Sequence, residues 1–196
     1  MGLKTNVLLF QVATLHEARY GAGMGVEIIS LPLGAKEQGK VPLADFNEIK
    51  GWLEGVKVFA EVDQLVPFED IKADGWLVSS PEIAKALSNQ EKPVGLHINI
   101  SDKTKLLEVL NNSYEDVSFF VITNASAISN LELNSLAEKF SIYFHGELST
   151  ENVLSFIDEV KPKGLAFTGA EEIKTGVNDF EELADILEVL DTDEFA

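Results

Sequence analysis

Short apolar runs alternate with helical patterns along the whole of this 196-residue chain, eight times over, with no low-complexity run between them. Successive parallel strands need a helical crossover, so the alternation predicts an α/β chain that closes as a small single-domain (β/α)8 TIM barrel over residues 1–196. Two further observations agree. The strands are short and largely apolar, as parallel strands buried on both faces should be. A hydrophobic content of 45% supplies one sizeable core but not two comfortable domains at this length. A doubly wound sheet is the structural alternative, but it seldom needs eight equal units.

Taken in order, NVLLFQV (6–12) is a strand, and TLHEARYGAGM (14–24) a helix with Thr14 as N-cap and Glu17 three residues on, a capping box. VEIISLPL (26–33) is the second strand; a polar loop leads to the helix LADFNEIKGWLEG (43–55) and to the strand VKVFAEVD (56–63). The next crossover, VPFEDIKA (66–73), has room for a helix shorter than the others. DGWLVSS (74–80) precedes a helix at 80–90 capped by Ser80 with Pro81 at its first position. KPVGLHINI (92–100) is the fifth strand, and Ser101 or Asp102 caps the helix after it. VSFFVIT (117–123) and SIYFHG (141–146) are strands on either side of a helix at 130–140. STENVLSFIDEVK (149–161) is a helix, GLAFTG (164–169) the eighth strand, AEEIKTG a segment with room for a short helical turn, and DFEELADILEVL (179–190) the last helix. The aromatics Phe119, Phe120, Tyr143, Phe144 and Phe167 are strand residues and read as barrel core.

Composition narrows the function. With 33 carboxylates against 15 basic residues the formal charge is −18, a field that repels nucleic acid and anionic membranes. The absence of cysteine excludes disulfides, thiolate catalysis and Cys-type zinc sites. The N-terminus carries one Lys before its apolar run and Asn6 where myristoylation wants Ser or Thr, so neither a signal peptide nor a lipid anchor is expected. The expectation is a cytoplasmic protein, monomer or homodimer, without nucleic-acid or membrane partners.

The two ends carry a likeness. NVLLFQVATLHEARYGAGMGVEIISLPL and GELSTENVLSFIDEVKPKGLAFTGAEEIKTGVNDFEELADIL resemble the opening and closing segments of phosphoribosylanthranilate isomerase, a small (β/α)8 barrel of tryptophan synthesis. The STENV helix start, the Lys-Pro before strand eight, Glu172, Gly176 and Asp179 carry it; the middle matches only in spacing. The resemblance implies a general base at the position of Phe10, a general acid at that of Ile122, and further inward groups where Leu8, Trp76-Leu77-Val78 and Ala166 stand. An acid and a base must reach the reacting atoms, and Phe and Ile supply neither. The resemblance therefore implies a divergent, isomerase-like barrel without that activity, or an isomerase or lyase of sugar phosphates with relocated acid–base groups. Both classes stay open.

In such a barrel the working face lies at the strand C-termini. His97, His145, Glu61 and Asp63 fall there and are the candidate catalytic groups; two histidines with a carboxylate are also a zinc-ligand set, but no ligand-spaced motif joins them, so no metal and no cofactor is assigned. Gly146, Thr168, Gly169, Gln11 and Asn99 are the candidate ligand-binding groups. The resemblance implies a phosphate held by the turns after strands seven and eight, hence a small phosphorylated metabolite as partner. Backbone N–H groups of Gly146 and Gly169, with Lys174 at the rim, would hold it, against Glu147 and Glu171.

Overall fold

The computed structural model describes residues 2–36, 39–65, 69–99, 102–169, 172–174, 177–178 and 181–192. Eight parallel strands close into a barrel: β1 (Asn6–Phe10), β2 (Ile28–Pro32), β3 (Lys57–Val62), β4 (Gly75–Val78), β5 (Val94–Asn99), β6 (Phe119–Thr123), β7 (Ile142–Phe144) and β8 (Gly164–Thr168), with β8 returning to β1. Around them lie α1 (Leu15–Gly23), α2 (Leu43–Trp52), α3 (Pro81–Leu87), α4 (Lys103–Ser113), α5 (Asn130–Ala137), α6 (Val153–Val160) and α7 (Glu181–Leu190).

Side chains alternate across each strand and so divide between two cores. One lies between barrel and helices and holds Leu9, Ile29, Trp76, Leu96, Phe120, Ile122 and Phe144. The other fills the lumen with Leu8, Phe10, Ile28, Phe59, Leu77, Phe119, Val121, Tyr143 and Ala166. Of the five strand aromatics, only Phe119 and Tyr143 are therefore lumen residues; Phe120 and Phe144 pack under the helices, and Phe167 is half-buried against that same layer.

The lumen floor has its own construction. Phe59 pairs in register with Gly75, Phe119 with Gly95, and Tyr143 with Gly164. A Cβ on any of these glycines would come within 2.4–2.5 Å of the facing ring, so each aromatic lies over the one residue that leaves room for it. Phe119 stands 5.7 Å from Phe59 and 5.2 Å from Tyr143 between ring centroids. The Tyr143 hydroxyl donates to Glu27 Oε2 at 2.7 Å, and Lys57 pairs with the same carboxylate at 3.2 Å.

The helix starts obey their caps. Thr14 and Glu17 close a capping box on α1, Ser80 caps α3 with Pro81 behind it, and Asp102 caps α4; Ser101 lies outside the described residues.

Three expectations are corrected. Between β3 and β4 the described residues form no helix; residues 66–68 lie outside them. The crossover is instead tied to its neighbours: Asn47 Nδ2 donates to Asp70 O, Lys72 N to Asn47 Oδ1, and Val58 N and Lys50 Nζ to Asp74 Oδ2. Second, α6 begins at Val153 rather than at 149: residues 150–152 form turns, with Ser149 O accepting from Asn152 N and Val153 N, while the Asn152 side chain accepts from Ser149 N and donates to Glu147 O. Third, the described residues of the segment after β8 are two strands, β9 (Glu172–Lys174) and β10 (Val177–Asn178), paired antiparallel with Val177 opposite Lys174, where a short helical turn is expected. Pairing between two strands satisfies backbone groups that a single isolated turn would leave open. Ala170, Glu171, Thr175, Gly176 and Asp179 lie outside the described residues.

Candidate functional site

The barrel mouth is formed by the C-terminal ends of β1, β3, β5, β6 and β7 and the loops that leave them. Phe10, the last residue of β1, turns its ring into the lumen and is only 3% exposed. Its centroid lies 5.4 Å from the His97 ring and 5.3 Å from the His145 ring, so the aromatic packs against both imidazoles. His97 Nε2 shares a hydrogen bond with Thr123 Oγ1 at 3.1 Å. Burial lowers the pKa of both histidines, and for His97 the neighbouring His145 adds to it, so both rings are neutral near pH 7.

Ile122 is corrected here. It is fully buried between β6 and the helices and does not face the lumen. The inward positions of β6 are Phe119, Val121 and Thr123, and the residue that ends this strand toward the mouth is Thr123, bonded to His97. Mouth closure therefore comes from Phe10 without Ile122.

Glu61 projects from β3 and joins three strands. Its Oε1 accepts from Gln11 N at 2.5 Å and from the buried Ser30 hydroxyl at 2.7 Å. Burial raises its pKa, while the Gln11 N–H, the Ser30 hydroxyl and Lys40 pull the other way. Gln11 itself is exposed and left-handed, φ 59°, a conformation that favours glycine; Asn124 after β6 is left-handed too, φ 61°. Asp63 points away from this group: it is 67% exposed, pairs with Lys40 at 2.5 Å, and that contact lowers its pKa. Asn99 is exposed at the end of β5. Among the described residues no three His, Asp or Glu side chains gather closely enough to hold a metal ion.

The open space lies to one side of the lumen. A cleft of about 390 Å3 runs between the β7–α6 loop, the end of β8 and the first turns of α7, and it brings Gly146, Thr168 and Gly169 together with His145. Gln11 and Asn99 do not line it. Glu147 and Glu182 do. The Gly169 N–H donates to Phe10 O at 2.8 Å, so it already has an acceptor within the protein. A Cβ there would meet Gln11 O, Glu17 Oε1 and Val12 Cα at 3.1–3.2 Å, which is why a glycine closes β8 onto the β1–α1 loop. A second cleft, of about 530 Å3, lies on the other side of the same loop, between α5 and α6.

The packing of Phe10 on two histidine rings, the Thr123 contact and the place of Glu182 in the cleft are not expected from the sequence reading. The inward parity of Thr123 is available in FFVIT, because a period of two that places Phe119 and Val121 inside places Ile122 outside.

Fold and site together define a small closed (β/α)8 barrel with a polar mouth at the strand C-termini. Its backbone is similar to solved phosphoribosylanthranilate isomerases. That of Thermotoga maritima superposes with a TM-score of 0.76 at 14% identity over 95% of this chain and 98% of that one. That of Thermococcus kodakaraensis gives 0.74 at 19% over 96% and 99%. A glycerol uptake operon antiterminator regulatory protein of Listeria monocytogenes shares the barrel more loosely, at 0.57 and 11% over 88% and 96%. No family model and no curated protein sequence matches the chain. At such identities the likeness is one of fold. Among the described residues no helix is long and apolar enough to cross a membrane.

Proposed function

We propose that this chain is a divergent barrel of the phosphoribosylanthranilate isomerase type that binds a small metabolite at its mouth and does not catalyse that isomerisation. The observation that carries the reading is Phe10. Its ring fills the lumen where the resemblance implies the general base, and the inward residue at the end of β6 is Thr123, a hydroxyl engaged with His97. Proton transfer by a positioned acid or base is worth on the order of a hundredfold or more, and neither residue supplies it near neutral pH. The ligand site is the cleft at Gly146 and Thr168. A phosphorylated metabolite is what the resemblance implies there; Glu147 and Glu182 and the engaged Gly169 N–H oppose tight binding of the anion.

The test is an assay of phosphoribosylanthranilate turnover alongside an NMR titration with ribose 5-phosphate. No turnover is expected, with weak, salt-sensitive shifts at Gly146 and Thr168. The revealing variant is Phe10→Cys with Thr123→Asp, which puts a thiol and a carboxyl at inward positions. Clear turnover by the unmodified protein overturns the proposal. An isomerase or lyase of a different sugar phosphate is the second reading, favoured by His97, His145 and Glu61 at one face; its activity would fall in His97→Gln and His145→Gln.

A further inference from the structure

The 530 Å3 cleft between α5 and α6 lies outside the lumen, bordered by the β6–α5 loop, the start of α5, the β7–α6 loop and α6. The volume lies in the range of small-molecule pockets. Its floor is apolar: Ile128, Leu133 and Phe144 are buried, and Phe156 stands edge-on to Phe144 at 6.1 Å and 83°. Its charged lining is all of one sign. Glu147 and Glu159 border it, and no Lys or Arg does. Asn130 Nδ2 donates to Glu159 Oε2 at 2.7 Å, which holds that carboxylate across the gap between the two helices and leaves Oε1 to accept from a ligand.

From this juxtaposition of an aromatic floor and an acidic rim, we propose that the α5–α6 cleft is a binding site for a small aromatic amine in its ammonium form. The flat body enters over Leu133 and Phe156, losing contact with water. The ammonium sits at the rim, where the two carboxylates attract it and would repel an acid of the same shape. This cleft shares His145, Gly146, Glu147 and Leu148 with the one proposed at the mouth and lies on the other side of that loop, so shifts at residues 155–159 distinguish it.

Tryptamine and indole-3-propionate, matched in shape and opposite in charge, are the probes, titrated by NMR at about 0.15 M salt to screen the general attraction of a chain of charge −18. Tryptamine should shift the amides of residues 144–148 and 155–159 and bind on the order of tenfold tighter than the acid. Glu147→Gln with Glu159→Gln, both exposed positions, should bring the two probes together in affinity. Ser155→Trp, at an exposed rim position, should abolish tryptamine binding while the spectrum keeps its dispersion. No tryptamine binding at millimolar concentration, equal binding of the two probes by the unmodified protein, or shifts confined to another surface would each overturn the proposal. If Ser155→Trp loses its dispersion, the double glutamine variant decides alone.

Discussion

The two ends of the barrel lumen are built on different principles. At the floor, Phe59, Phe119 and Tyr143 lie over Gly75, Gly95 and Gly164, and the Tyr143 hydroxyl is matched, donating to Glu27 beside Lys57. At the mouth, Phe10 packs against two histidines whose pKa values burial lowers. There a carboxylate accepts from a left-handed Gln11, and the end of β6 leads into a left-handed Asn124. Close packing with satisfied polar groups is what stability selects. At the mouth, by contrast, the left-handed non-glycine residues Gln11 and Asn124 stand beside the buried histidines and Glu61. The difference teaches that this chain keeps the mouth of its barrel chemically distinct even though Phe10 fills its centre.

The contrast can be broken most sharply at the floor. Phe119→Ala removes the ring that touches both Phe59 and Tyr143 and should cost about 3–5 kcal/mol in urea unfolding. A loss below about 1 kcal/mol would mean that the floor collapses around the gap and is not the rigid end of the lumen.

At the mouth the sign should reverse. Gln11→Gly relieves a left-handed side chain while keeping the N–H that reaches Glu61. Set against the greater freedom of glycine in the unfolded chain, the net gain should be up to about 1 kcal/mol, read by the same unfolding measurement. A destabilised variant would show that the Gln11 side chain itself holds the mouth.

The smallest effect is in pH. Burial holds His97 and His145 below the ordinary value of 6.5, so as pH falls past that value the unfolded chain takes up protons first. Stability should then decline until the pH drops below the lowered folded values. Glu61 works in the opposite sense: its raised pKa adds stability that is present below the ordinary 4.5 and lost as pH rises through its folded value. The two are separated by comparing the unmodified protein with His97→Gln/His145→Gln, in which the decline below pH 6.5 should shrink. An unchanged profile would show that the histidines are not enclosed as described.

Much of the fold is legible in the sequence because its signals are local. Thr14 with Glu17, Ser80 with Pro81, and Asp102 mark helix starts within a few residues, and each apolar run of strand length lies where a strand forms. The crossover after β3 is not legible in this way, because its hydrogen bonds go to Asn47 and Lys50, about 25 residues away, which no window of that segment contains. The start of α6 is blurred for a different reason: Ser149 and Asn152 are both residue types that cap helices, and residues 150–152 turn before the helix proper begins at Val153.

For the site the division is similar. By itself the sequence determined that His97, His145, Glu61, Gly146, Thr168 and Gly169 stand at the strand C-termini, because strand order and a period of two settle which end and which face a residue occupies. Only the closed barrel decided what these groups meet. Phe10 packs against both histidines, Ile122 goes to the helix layer and leaves its place to Thr123, and Gly169 donates its N–H to Phe10 because β8 lies against β1, from the opposite end of the chain. Contacts across a lumen depend on barrel closure and register, which are properties of all eight strands at once and of no one segment.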